Sequence, residues 1–298
     1  MTRTLLPLAV LALFAAAAAA QEEYPLAPGA KVTKLADGFK FTEGPTADAE
    51  GNVYFTDQPN DRILRWGTDG KLTTFIEPAG RANGLCFDAA GSLWVCADER
   101  NELWKVDVAA KTKEVVVKGY DGKLLNGPND VWVRPDGGVY FTDPFYKRDY
   151  WKRGPEEQDT RGVYYLSPAG RLTRVDDGYS QPNGLVGTPD GKTLYVSDIG
   201  RGRTYAYDIQ TDGTLRNQRT FCGLGSDGMT LDADGNVYLT GKGVTVFDRT
   251  GKQIAHIDVP AKWTANVCFG GKNMRTLFIT AGTALYSVPM RVKGAARQ

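Results

Sequence analysis

Six stretches of the chain repeat one plan, and that repetition constrains the fold more than any other feature. Residues 43–57 (EGPTADAEGNVYFTD), 83–98 (NGLCFDAAGSLWVCAD) and 129–143 (NDVWVRPDGGVYFTD) share it. So do residues 183–198 (NGLVGTPDGKTLYVSD), 227–241 (DGMTLDADGNVYLTG) and 266–281 (NVCFGGKNMRTLFITA). Each opens on a polar residue, runs through a short apolar segment, turns at a polar, mostly Asp- and Gly-rich tip and returns through a β-rich run such as VYFT, the signature of a hairpin. The starts are 40, 46, 54, 44 and 39 residues apart. A period of roughly 40–50 residues built from short strands is that of a four-stranded propeller blade. Further strand-like segments follow each hairpin, for example 63–66 with 71–76, or 204–208 with 219–222. That predicts four strands per blade and six blades. The sixth blade lacks a last strand, because only a polar tail follows 284–289, and a spare strand at 31–36 can complete it. Such pairing would close the ring and leave no open sheet edge. Two β-sandwiches would not produce six copies in phase. The expected fold is an all-β, six-bladed β-propeller over residues 31–298, preceded by a tail at 21–30.

Residues 1–20 (MTRTLLPLAVLALFAAAAAA) carry one Arg, an apolar run and small residues, the layout of a signal peptide cleaved near Ala20. The apolar run before the alanines is short for a membrane anchor. The expectation is an exported protein, secreted or periplasmic. Of 36 Lys and Arg against 35 Asp and Glu, the leader holds only Arg3, so the mature chain is balanced. That argues against nucleic acid or an anionic membrane as the main partner and leaves a small molecule. The single His excludes any site needing two imidazoles. Cys86, Cys96, Cys222 and Cys268 form no dense framework, and their three possible pairings stay open beside four buried thiols.

The innermost strand of every propeller blade runs beside the central channel. The residues that open the six repeats, Glu43, Asn83, Asn129, Asn183, Asp227 and Asn266, are therefore expected to face one another around the axis. All six are carboxylates or carboxamides. Acids crowded at a channel mouth repel unless a cation lies between them. Oxygen donors without Cys or a placed His suit one hard divalent cation, calcium first, with magnesium, manganese or zinc as alternatives. A water-filled mouth with one carboxyl protonated is the competing arrangement.

The phrases Glu43-Gly44-Pro45, Gly127-Pro128-Asn129-Asp130, Gln181-Pro182-Asn183-Gly184 and Ser226-Asp227-Gly228-Met229 resemble the SMP-30/gluconolactonase/LRE-like family, in its bacterial gluconolactonase-like branch. The resemblance covers nearly the whole mature chain. It implies a lactonase with one divalent metal in the channel. By the same resemblance Glu43, Asn183 and Asp227 match the metal ligands, and Asn129 matches the residue beside the metal that contacts substrate or a bound water. The chain departs from the family at Gly127, where animal members carry Arg. Arg81, two residues before Asn83, is the candidate substitute. A second departure is Asp98-Glu99-Arg100, where many bacterial relatives have a His.

These residues give a mechanism to test. Asp227 is the candidate base, with Asp130 behind it, while Asn129, Asn83 and Arg81 are candidate substrate contacts. Asp57, Asp98, Asp143 and Asp198 recur at the ends of returning strands, where a carboxylate can bind local backbone N–H groups. Residues 144–161 (PFYKRDYWKRGPEEQDTR), directly after Asp143, should lie on the mouth face as a lid or as a plain connector. His256 reads as an ordinary strand residue of blade five. Hydrolysis of phosphotriesters or aryl esters, or non-catalytic binding of a sugar or protein, are the alternatives to a sugar lactone.

Overall fold

The computed structural model of the chain describes residues 24–151 and 154–296; the leader expected at 1–20 lies outside them. Six four-stranded antiparallel sheets form a ring, each with its strands in chain order except the last. The innermost strands of blades one to five are Thr42–Ala47, Leu85–Phe87, Val131–Val133, Pro182–Gly187 and Met229–Leu231. Blade six is built from Thr264–Gly270, Thr276–Ala281 and Ala284–Pro289, and its outer strand is Thr33–Asp37 from the opposite end of the chain. The closure expected from 31–36 is therefore present, shifted by one or two residues. Residues 24–30 also lie on the ring: the Tyr24 hydroxyl donates to Asp234 at 2.6 Å, and Ala27 N donates to Pro289 O at 3.2 Å.

Period-two alternation explains why the second strands are apolar on both faces. In Val53–Asp57, Tyr54 enters the core between blades one and two, while Phe55 enters the core between blades six and one. Each of the six interblade interfaces has such a core, for instance Tyr140 and Tyr165 against Leu194 and Tyr207. A fully buried side chain of this size contributes about 1.5–3 kcal/mol, so each blade is held mainly by its neighbours.

The second strands end on the mouth face, where Thr42 pairs with Asp57. In blades one, two and four a 3₁₀ turn follows at once: Gln58–Asn60, Asp98–Arg100 and Ile199–Arg201. In blade three the described residues 144–151 and 154–161 follow Asp143 in place of that turn. The four recurrent Asp residues are buried where these turns begin. Asp57 accepts from the N–H groups of Lys40 and Phe41, Asp143 from Asn126 and Gly127, and Asp198 from Ser180 and Gln181. Asp98 accepts from the Gln58 side chain at 2.9 Å. Asp57, Asp143 and Asp198 thus bind the backbone that enters their own blade, whereas Asp98 ties blade two to blade one. No disulfide joins any of the four cysteines. Among the described residues no helix is long and apolar enough to cross a membrane.

Candidate active site

The inner strands close on one another through backbone groups, and this fixes which side chains reach the axis. Thr56 Oγ1 donates to Asn83 O at 3.1 Å, Gly84 N to Asn129 O at 2.7 Å, and Thr142 Oγ1 to Asn183 O at 2.8 Å. The matching bond into blade six runs from Thr240 Oγ1 to Ala265 O at 2.8 Å. The sixth axial position is therefore Ala265, and the expectation that Asn266 stands there is corrected by one residue. The inner-strand bulge is common to blades one, four and six; blade six differs in its hairpin tip, where Phe269 pairs with Leu277 across a turn one residue longer than the one from Gly187 to Leu194 in blade four. Asn266 instead occupies the layer beneath, with Gly44, Gly84, Asp130, Gly184 and Gly228. Asp130 and Asn266 share a local device there: each accepts the N–H of the following Val, at 3.0 and 2.8 Å.

Glycine recurs in that deeper layer because neighbouring strands leave no room for a Cβ. At Gly44 (φ +46°) a Cβ would lie 2.0 Å from Asn83 O, and at Gly184 it would lie 2.6 Å from Asp227 O. Close approach brings the axial side chains together. Glu43, Asn83, Asn129 and Asn183 are each buried, while Asp227 is half-buried and the most accessible carboxylate of the well.

Three carboxyl groups converge from three blades. They lie near enough for the charge of Asp227 to act on Glu43 and on Asp130, while Glu43 Oε2 accepts from Gly44 N at 2.8 Å. Burial, then the charge of Asp227, pushes the Glu43 carboxyl well above the usual carboxylate range. Burial raises Asp227 too, opposed by Trp263, Asn183 and Arg148. Burial raises Asp130 to about 7 against the bonds from Val131 N and Leu185 N. Asn183 Nδ2 donates to Asp227 Oδ1 at 2.9 Å, and Trp263 Nε1 donates to Asp227 Oδ2 at 2.5 Å.

This is a donor set of oxygens held in a well that penalises their negative charge, which fits a hard divalent cation. Among the described residues no group of three or more His, Cys, Asp and Glu side chains stands ready to hold a metal. A cation here would need the carboxamides as well. Asn183 now turns its nitrogen to Asp227, and rotation of that amide would present its oxygen instead.

The insertion crosses the mouth. From it Tyr146 OH accepts from Asn183 Nδ2 at 2.7 Å on blade four, and Tyr150 OH donates to Gln58 Oε1 at 3.0 Å on blade one. The Arg148 guanidinium lies 4.9 Å over the Tyr146 ring and 5.8 Å from the Trp151 centroid, and its charge acts on Asp227. Arg81 sits on the rim rather than at the well. Its Nε pairs with Glu99 at 3.2 Å, Nη1 donates to Pro59 O, and its guanidinium lies 4.6 Å over the Tyr150 ring. Thus Arg148, from the insertion, is the guanidinium that acts on Asp227. His256 is on the outer strand Gln253–Ile257, with Nδ1 3.0 Å from Thr245 Oγ1, away from the axis.

Sequence reasoning missed Trp263 and Arg148, since neither lies on a repeat position. It also missed the one-residue offset at Asn266, which the extra residue in the blade-six hairpin tip conceals.

Comparison with known proteins identifies the family. The chain is 32% identical over 291 residues to a gluconolactonase of Zymomonas mobilis, covering 87% of this chain and 81% of that one. A solved gluconolactonase structure from Xanthomonas campestris superposes with a TM-score of 0.83 at 32% identity, covering 89% and 91% of the two chains. The fold is shared with a structure described as the calcium-binding protein regucalcin from Agrobacterium tumefaciens, at a TM-score of 0.75 and 21% identity over 91% and 96% of the two chains. With residues 41–283 matching the family model for the SMP-30/gluconolactonase/LRE-like region, this chain belongs to that family.

Proposed function

We propose that the protein is an exported, divalent-metal-dependent hydrolase that opens a sugar lactone. The observation that carries this reading is the meeting of Glu43, Asp227 and Asn183 at the channel mouth of a chain whose relatives include gluconolactonases. Glu43, Asn183 and Asp227 would hold the cation, with Asn129 beside it, and calcium suits an all-oxygen set best. When bound, the cation supplies Lewis acidity at the lactone carbonyl.

The protein's own groups do the rest. Asp227 accepts the proton of the attacking water, because its carboxylate is the most open of the three. Asn129 and Asn83 orient the ring oxygens from the adjacent inner strands. Asp130, buried and accepting from Val131 N and Leu185 N, shapes the floor of the well. The span from Tyr146 to Tyr150 acts as a lid that limits water at the carbonyl. Export rests on the sequence pattern of residues 1–20.

The test strips the protein with a chelator and adds back calcium, magnesium, manganese and zinc singly. A panel of aldonolactones, an aryl ester and a phosphotriester supplies the substrates. The reading expects lactone opening that disappears on stripping and returns with one cation. Turnover indifferent to chelation, or confined to the phosphotriester, would overturn it.

A further inference from the structure

We propose that Trp263 is the platform on which the substrate ring rests, and that its indole N–H, bonded to Asp227, fixes that platform beside the reacting carbonyl. The inference rests on the lactonase reading and adds the substrate's shape: a saturated ring with one face rich in C–H groups.

Trp263 lies in the connection between the outer strand of blade five, Gln253–Ile257, and the innermost strand of blade six, Thr264–Gly270. It therefore stands on the mouth face. Of the six tryptophans in the chain it is the exposed one, with 40% of the residue in solvent. Trp94 and Trp104 are buried in interblade cores, and Trp66, Trp132 and Trp151 are partly covered. An indole left in water loses the gain that burial gives the others. It is not left there by disorder of the side chain, because the 2.5 Å bond from Nε1 to Asp227 Oδ2 fixes its rotamer. A bond to a carboxylate is about twice as strong as a neutral one.

The backbone beneath also accommodates the ring. The Trp263 Cη2 atom lies 3.7 Å from where a Cβ would stand on Gly241. Gly241 ends the second strand of blade five, Val237–Gly241, the place held by Asp57, Asp143 and Asp198 in other blades. Without a side chain there, the indole can lie along the rim.

The result is a rigid, exposed aromatic surface tethered to the carboxylate at the centre of the candidate chemistry. Tyr146 holds Asn183 from the insertion in a parallel way, but its ring is already covered by Arg148. Trp263 remains open for a ligand. Pyranose and furanose rings present a C–H face that an indole covers well, whereas an open-chain ester has no such face. Covering roughly 55 Å² of that face corresponds, at the usual coefficient for apolar burial, to about tenfold in affinity.

Two variants separate the platform from the tether. Trp263→Leu removes the flat ring, and Trp263→Phe keeps a flat ring while removing the N–H. Each is assayed with a six-membered aldonolactone and with an open-chain ester such as methyl glycolate. Trp263→Leu is expected to raise KM for the lactone about tenfold and leave KM for the open-chain ester unchanged. Trp263→Phe should hold the lactone KM within about threefold of wild type and lower kcat, because Asp227 loses its tether.

A second readout needs no turnover. Adding 1,5-anhydroglucitol, a pyranose that cannot react, should change the tryptophan emission of wild type but not of Trp263→Phe. If Trp263→Leu shows wild-type KM for the lactone, or if it raises KM equally for the lactone and the open-chain ester, the platform is wrong. Wild-type protein without lactone turnover would instead refute the lactonase reading. The emission experiment then decides Trp263 alone: a response confined to wild type supports the platform, and none up to 100-fold molar excess over the KM range of roughly 1 mM overturns it.

Discussion

Gly184→Ala adds one methyl group between two candidate ligands, and its cost follows from the backbone around it. The new Cβ would lie 2.6 Å from Asp227 O, 2.9 Å from Gly228 Cα and 3.1 Å from Gly228 C. An ordinary carbon–oxygen contact is nearer 3.4 Å, so the inner strands of blades four and five must separate by roughly 0.8 Å. No flexible side chain can yield, because all three neighbours are backbone atoms. Overpacking of this kind costs about 1–3 kcal/mol, which for a domain of this size lowers Tm by about 2–12 °C. The functional loss should be larger in proportion. The separating strands carry Asn183 and Asp227, and a displacement near 1 Å at a reacting centre costs about 100-fold in rate.

Gly170→Ala is the control: its φ is +81° and no heavy atom lies within 4 Å of the added Cβ, so only backbone strain of about 1 kcal/mol is expected. Thermal melts and lactone turnover are measured on both variants. Gly170→Ala should lose a few degrees and keep its turnover; Gly184→Ala should lose most turnover even where it is still folded. Wild-type turnover in Gly184→Ala would refute the claim that these two strands set the geometry of the well.

Glu43→Gln and Asp227→Asn should each abolish the melting shift produced by calcium; in wild type, calcium at 100 times its Kd should stabilise by about 2.7 kcal/mol, and a wild-type Tm that ignores both calcium and chelator would count against the site. Asn129→Ala should lose turnover while keeping most cation affinity, whereas Asn183→Ala should lose both; calorimetric titration beside rate measurements checks this, and identical behaviour would remove the distinction between ligand and substrate contact. Replacing residues 146–156 with a short Gly/Ser linker should raise the lactone KM or relax selectivity among lactones with little change in Tm, since no blade strand is touched. Unchanged KM and selectivity would make the segment a connector.

The ring was legible in the sequence because hydrophobic alternation and turn chemistry recur together. Tyr54 and Phe55 show why: adjacent residues of one strand fill two different interblade cores, so every second strand carries the same apolar run. The mouth position of residues 144–161 was legible for the same reason, since Asp143 ends such a strand beside the axis. Five axial residues followed from phase alone. The sixth position shows the limit. Asn266 slips one step because the blade-six hairpin tip holds an extra residue, so counting back from its second strand reaches Asn266 rather than Ala265. Arg81 matched an expected role by spacing, yet Glu99, Pro59 and Tyr150 hold it on the rim. Trp263 and Arg148 reach the well from connections, whose paths depend on tertiary packing rather than on strand periodicity.

The most direct test of the central claim is a crystal of the wild-type protein grown with manganese, with diffraction collected at the manganese edge. The account predicts one anomalous peak at the channel mouth, about 2.0–2.6 Å from oxygen atoms of Glu43, Asn183 and Asp227, with the Asn183 amide turned to present its oxygen. A peak elsewhere on the ring, or none at the mouth, would contradict it.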